Sequence, residues 1–259
     1  MTALLEAQNV TKIYPGVRAL DAVDLTLRAG EIHTLIGENG AGKSSLIKLI
    51  TGVHGPDAGQ MVFEGKPVTF RSPQDSLAAG IGVVHQERNL IPRYSIAENM
   101  FLDRLPTRNG LVDHKRMREE ARHWLNVLEL PIAPETQVRR LSVAQMQLVE
   151  IGRALSLNSK LLLLDEPTAS ISEHEVVGLF RILRRLRDQG TAILFVSHKL
   201  EEVMALCDRI TVLRDGKNVC NDRSLEGMSK GDIVTLMVGR EYAVTSLGQR
   251  VAKPGATRL

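Results

Sequence analysis

Short apolar runs separated by glycine breaks organise the N-terminal part of the chain. Residues 3–10 and 17–27 alternate loosely between apolar and polar positions, with breaks at Gly16 and Ala29-Gly30, which predicts antiparallel strands. Ile32-His33-Thr34-Leu35-Ile36 is a β-rich run ending at Gly37. Beyond it, Leu46, Ile47, Leu49 and Ile50 recur at helical spacing. The predicted order is strand, glycine loop, helix. From about Ser95 to Leu157 the pattern is helical, with Trp124, Leu125, Leu128 and Leu130 in phase and Pro131 and Pro134 interrupting it. Leu161–Leu164 and Ala192–Val196 then read as buried strands on either side of a helix over 173–189. Apolar strands alternating with helices predict an α/β fold with a parallel sheet covered on both faces, into which the 95–157 stretch is inserted. After about Arg240 the pattern fades, and 241–259 reads as a C-terminal tail.

Composition adds limits. Apolar residues make up 43% of the chain but aromatics only 3%, so the core must be built from Leu, Ile, Val and Ala. The net charge of +3 gives no argument for nucleic acid. Arg181, Arg184, Arg185 and Arg187 cluster at helical spacing beside Val176, Phe180, Leu183 and Leu186, the pattern of a solvated helix face. Cys207 and Cys220 form no disulfide framework and no metal spacing, and both read as small buried hydrophobes. The start, MTALLEAQNVTK, lacks the features of a signal peptide, and no uncharged apolar run reaches about 18 residues. A role at a membrane would therefore run through a partner.

The chemistry is concentrated at strand ends. Gly37-Glu38-Asn39-Gly40-Ala41-Gly42-Lys43-Ser44 fits G-x-x-x-x-G-K-S between a predicted strand and a predicted helix. The glycines let backbone N–H groups turn inward around phosphates, and the helix presents its positive dipole end to the same anion. Lys43 is placed for the terminal phosphates and the Ser44 hydroxyl for Mg²⁺, with Ser45 beside it. Leu161-Leu162-Leu163-Leu164-Asp165-Glu166 carries an acid pair to a strand end, where open α/β sheets bind ligands. Asp165 suits the Mg²⁺ shell, and Glu166 can orient or deprotonate an attacking water. Val196-Ser197-His198 ends the next strand in the same way, which places His198 for the γ-phosphate. Gln86, closing the β-like run Val83-Val84-His85, can touch both Mg²⁺ and water.

These pieces, in this order, resemble the ABC ATPase family over roughly residues 5–240. The element that carries the resemblance is Leu141-Ser142-Val143-Ala144-Gln145, similar to the family's LSGGQ signature. The resemblance implies a RecA-like parallel-sheet core, an N-terminal antiparallel β subdomain and an inserted α-helical subdomain at about 95–157, all within one nucleotide-binding domain, 1–240. It also implies that Ser142, Val143, Ala144 and Gln145 cap the ATP of a second subunit, with Ser142 supplying a hydroxyl and the helix over 142–156 its N-terminal dipole. Pro167-Thr168-Ala169-Ser170 aligns with the loop that couples the two sites. Tyr14 stands where the family stacks an aromatic on adenine, a structural aromatic at the turn being the alternative. Val143 and Ala144 replace the two signature glycines, which removes glycine-only conformations.

LSVAQ, QLVEIGRAL, DEPTAS, SHKLEEV, VLRDGK, YPGVRALDAVDL and MVGRE together resemble the ATPases of bacterial monosaccharide importers. The implied protein binds ATP and Mg²⁺, hydrolyses ATP as a dimer, and drives integral membrane permease subunits served by an extracytoplasmic solute-binding protein. It would sit peripherally on the cytoplasmic face of the membrane. That subgroup typically fuses two cassettes in one chain, and only one is present here, as a single-cassette member or an N-terminal half; with Lys43, Gln86, Asp165, Glu166 and His198 intact, a homodimer is expected. Nucleoside import, and a soluble ABC ATPase acting on ribosomes or DNA, remain alternative readings.

Overall fold

The computed structural model describes residues 3–85 and 89–239. The chain opens with β1 (Ala3–Tyr14) and β2 (Val17–Arg28), paired antiparallel through the Pro15-Gly16 turn. Next come β3 (Ile32–Ile36), α1 (Lys43–Ile50), β4 (Ala58–Phe63), β5 (Lys66–Val68), α2 (Pro73–Ala79) and β6 (Ile81–Val84). The helical stretch follows: α3 (Ile96–Phe101), a two-stranded hairpin of β7 (Thr107–Arg108) and β8 (Leu111–Val112), α4 (His114–Val127) and α5 (Val143–Leu155). The chain then alternates through β9 (Leu161–Asp165), α6 (Glu173–Asp188), β10 (Ala192–Val196), α7 (Leu200–Leu206), β11 (Arg209–Arg214), β12 (Lys217–Ser224) and α8 (Lys230–Val238).

Two main sheets result. An antiparallel sheet has the order β2-β1-β4-β5, and a six-stranded sheet the order β12-β11-β3-β10-β9-β6. The larger sheet is parallel from β11 to β6. It departs from the all-parallel expectation at β12, which returns antiparallel along β11 through the tight Asp215-Gly216 turn.

Side-chain alternation along the central strands assigns each face its cover. Leu162, Leu164, Ile193 and Phe195 face a core shared with α3, α4, α5 and α6. Leu161, Leu163, Ala192 and Leu194 face the opposite core, filled by α1 and the antiparallel sheet. Helix starts are fixed locally. Ser95 with Glu98, Ser142 with Gln145, Ser172 with Glu175 and Ser229 with Asp232 each form a capping box that satisfies N–H groups at the helix start.

Two minor expectations change. The arginine face of α6 is only partly exposed and is engaged: Arg181 and Arg185 both grip Glu129, at 2.7 and 2.6 Å, and the half-buried Arg187 reaches Asp208 at 3.0 Å. Cys207 is buried, whereas Cys220 on the edge strand β12 is only half-buried, because an edge strand has a neighbour on one side alone.

Candidate functional site

β3 delivers the chain to the phosphate loop, and Gly42 caps the start of α1 in a left-handed conformation, φ 104°. Glycine is required there by space as well as by backbone angle. A Cβ on Gly42 would lie 2.7 Å from the Ala19 carbonyl oxygen, and one on Gly37 would lie 2.3 Å from that of Leu213. The loop is thus pressed against β2 and the end of β11. Lys43 folds back over it, donating from Nζ to the Gly37 carbonyl at 2.7 Å and the Glu38 carbonyl at 3.0 Å. Burial pushes the Lys43 pKa down, while Glu166 and Asp165 favour its charged form. Among the described residues the Lys43 ammonium donates to carbonyl oxygens, acceptors that phosphate oxygens can replace.

Asn39, Gly40, Ala41, Gly42, Lys43, Ser44 and Ser45 line one cleft of about 690 Å³ together with Tyr14, Asp165 and Glu166. Burial, with Glu166 adding to it, raises the Asp165 carboxyl above its ordinary value, against the pull of His85 and Lys43. Glu166 takes a left-handed conformation, φ 48°, costly for a residue with a Cβ, and its N–H donates to the Val196 carbonyl at 2.9 Å. That bond ties the end of β9 to the end of β10. His198 follows β10, and its Nδ1 stands 3.1 Å from Glu166 Oε1. Carboxylate, imidazole, lysine and hydroxyl are therefore gathered at the C-terminal ends of adjacent parallel strands, as the sheet topology requires.

Three parts of the sequence reading stand elsewhere. Gln86 lies outside the described residues. Gly37 and Glu38 reach the cleft through the Lys43 contacts rather than by lining it. Ser142 caps α5, accepting the Gln145 N–H at 3.3 Å and donating to Glu175 at 3.4 Å. It borders a separate cavity with Ala144, Gln145, His174 and Glu175, so within one chain the signature segment is not part of the phosphate-loop cleft.

The sequence reading did not select Val17, Arg18, Ala19, Asp215 or Gly216, all of which line the cleft. The Asp215-Gly216 pair was visible as a turn signal, but nothing in a turn says which strand end it will face. A second titratable cluster, Glu31, His33 and Asp222, lies within metal-ligand reach at the opposite, N-terminal ends of the strands. Arg28 and Arg209 already hold Asp222, and their positive charge makes that cluster an ion-pair network unsuited to a cation.

A parallel sheet carrying a phosphate loop, an acid pair and a histidine at successive strand ends defines a phosphate-loop nucleotide-binding cassette. Solved structures share the whole fold. The ADP conformation of MJ1267, an ATP-binding cassette of an ABC transporter, is 27% identical with a TM-score of 0.79, over 93% of this chain and 100% of that one. The dimeric MJ0796, a bacterial ABC transporter cassette, is 27% identical with a TM-score of 0.72, over 86% and 100%. The chain belongs to the ABC transporter family, whose description matches residues 20–169. Among curated relatives, it is 48% identical over 237 residues to a ribose import ATP-binding protein, RbsA 1, of Streptomyces avermitilis, covering 92% of this chain and 45% of that protein. It is 42% identical over 256 residues to the galactose/methyl galactoside import ATP-binding protein MglA of Sodalis glossinidius, covering 99% and 50%. The chain thus spans about half the length of the curated relatives it matches.

Proposed function

We propose that this chain is the ATP-hydrolysing subunit of an ABC importer for a monosaccharide, with residues 1–240 as its nucleotide-binding domain. The observation that carries the ATPase reading is the pairing of Glu166 with His198 at 3.1 Å, next to a cleft lined by both Lys43 and Glu166. The sugar reading is supported by the names of the relatives, ribose and galactose import proteins.

The donor set fits MgATP. The close-packed loop leaves backbone N–H groups for the phosphates, Lys43 supplies positive charge, and Tyr14 borders the same cleft for the base. Ser44 and Asp165 supply the hard oxygen donors that Mg²⁺ takes, with Gln86 as a further ligand; the ion would neutralise charge on the phosphates. Glu166 orients and deprotonates water for in-line attack on the γ-phosphate. His198, held by Glu166, steadies the γ-phosphate and fixes the carboxylate.

Because Ser142, Val143, Ala144 and Gln145 stand away from the cleft of their own chain, they act on a second cassette, supplied by another copy of this chain. The helix α5 presents its N-terminal dipole to that nucleotide. Membrane permease subunits dock by the helical segment 95–157, and a groove of about 270 Å³ lined by His85, Asn89, Asp103 and Arg153 offers a surface for them. An extracytoplasmic solute-binding protein delivers the sugar to the permease. No helix among the described residues is long and apolar enough to cross a membrane. The subunit acts peripherally at the cytoplasmic face.

Glu166→Gln tests this reading. The variant should bind ATP, accumulate as a closed dimer in sedimentation, and abolish both turnover and uptake of one labelled monosaccharide. Wild-type turnover removes Glu166 from the mechanism, and undiminished uptake of every sugar in the panel retires the importer reading.

A further inference from the structure

Tyr14 is the last residue of β1 and borders the nucleotide cleft, but what fixes its ring is not obvious from β1. The Tyr14 hydroxyl is buried and makes no hydrogen bond with any described residue, so ring packing must set its orientation. Two side chains supply it. Lys12 brings its ammonium to 5.8 Å from the ring centroid. His54 meets the ring edge-on, with centroids 5.6 Å apart and planes at 70°. Both geometries are attractive for an aromatic quadrupole.

The residues around this clamp come from the turn that leaves the phosphate-loop helix. His54 N–H donates to the Lys48 carbonyl of α1 at 3.1 Å, and Asp57 N–H donates to the Thr11 carbonyl of β1 at 2.9 Å. The Asp57 carboxylate accepts the Ile13 N–H at 2.6 Å and the Lys12 ammonium at 3.0 Å, and the Gly55 carbonyl accepts the same ammonium at 2.9 Å. The C-terminal end of α1 is thereby bonded to the end of β1, and His54 projects from this junction onto Tyr14. The turn that leaves the helix begun at the phosphate site carries the residue that packs on Tyr14.

We propose that His54 is a positioning residue for the nucleotide base. It holds the Tyr14 ring in the plane on which the base stacks, and it ties that plane to the helix whose first residues meet the phosphates. This rests on the assignment of Tyr14 as the base platform. Binding then costs less ordering of the aromatic, since the ring is oriented before the nucleotide arrives.

The test is steady-state ATP hydrolysis by the full chain, with inorganic tripolyphosphate as a competitor that has phosphates but no base. His54→Ala should raise KM for ATP about 2- to 12-fold, the range an edge-on aromatic contact supports, with kcat unchanged and the tripolyphosphate inhibition constant unchanged. His54→Phe should restore KM, and His54→Ala should add nothing in a Tyr14→Ala background. The proposal is overturned if His54→Ala leaves KM unchanged while Tyr14→Ala raises it. It is also overturned if His54→Ala weakens tripolyphosphate as much as ATP, which would make His54 a general support of the loop. If Tyr14→Ala itself leaves KM unchanged, the platform assignment fails and the proposal falls with it.

Discussion

A single buried carboxylate holds the two loops that carry Glu166 and His198, and removing one of its donors should be measurable twice. Thr168 lies two residues beyond Glu166, and Ser197 immediately precedes His198. Glu202, near the start of α7 and 7% exposed, accepts the Thr168 hydroxyl at 2.6 Å and the Ser197 hydroxyl at 2.9 Å on the same oxygen, Oε2. Its other oxygen faces the Lys199 ammonium at 3.0 Å. Thr168→Val keeps the shape of the side chain and deletes one donor, so a methyl group meets a buried carboxylate. A hydrogen bond to a charged group contributes about 1.5–3 kcal/mol, and nothing else among the partners of Glu202 replaces it. In a chain of this size each kcal/mol moves the thermal midpoint by about 2–4 °C, so the loss should be about 3–12 °C by scanning calorimetry. Turnover should fall as well, because the loops carrying Glu166 and His198 lose their common anchor. Ser197→Ala should behave similarly, and the double variant should depart from the sum of the singles because both hydroxyls share one oxygen. An unchanged midpoint for Thr168→Val, or strict additivity, refutes the shared-anchor argument.

Gly42→Ala should weaken ATP binding by more than about tenfold and cost about 1–3 kcal/mol, since φ 104° is strained for alanine and its Cβ would sit 2.7 Å from the Ala19 carbonyl. Titration calorimetry at wild-type affinity would sink that argument. Asp165→Asn should raise the thermal midpoint of the nucleotide-free protein at neutral pH while abolishing turnover. Burial raises the folded-state pKa of Asp165, so the folded protein bears a penalty above that pKa. The penalty shrinks as pH falls toward the ordinary carboxylate range and is absent once the group is protonated in both folded and unfolded states. The gain in the variant should therefore fade in acid; a wild-type protein that is the more stable of the two at neutral pH contradicts the stated cause.

What the sequence made legible was local. The phosphate loop needs eight consecutive residues, and Asp165-Glu166 and Val196-Ser197-His198 need only an apolar run with a polar end. Strand adjacency then brought these ends together, because parallel strands of one sheet point their C-terminal ends the same way. Strands with weak patterns were missed. β4 has exposed residues at Ala58, Gly59 and Gln60, and β12 is half-exposed along most of its length, so neither shows an apolar alternation. Long-range contacts were equally silent. Nothing in Thr168, Ser197 and Glu202 as separate letters says that they meet, and His54 reads as one polar residue in a glycine-rich turn. Asp215 and Gly216 came to the cleft because β12 folds back on β11, a topological fact and not a compositional one.

The signature segment shows how a departure in sequence can leave a backbone unaltered. Val143 and Ala144 stand where the resembling pattern has two glycines, and glycine is usually demanded by a positive φ or by close approach. Neither demand operates here within the chain. Ser142 has φ −68° and ψ 165° as the cap, α5 begins at Val143, and neither Val143 nor Ala144 has a positive φ. The first turn is therefore ordinary right-handed helix, which any residue can enter, and its N-terminal dipole is unaffected by the side chains. What glycines would add is room above the helix start, so the replacement bears on how closely a second cassette's phosphates can approach. In the proposed dimer, Ser142, which donates to the Glu175 carboxylate at 3.4 Å, would exchange that acceptor for a phosphate oxygen of the second cassette's nucleotide. Closure would then move a hydroxyl from one anion to another, and on that proposal its free energy would come from the remaining contacts across the dimer and from ATP itself.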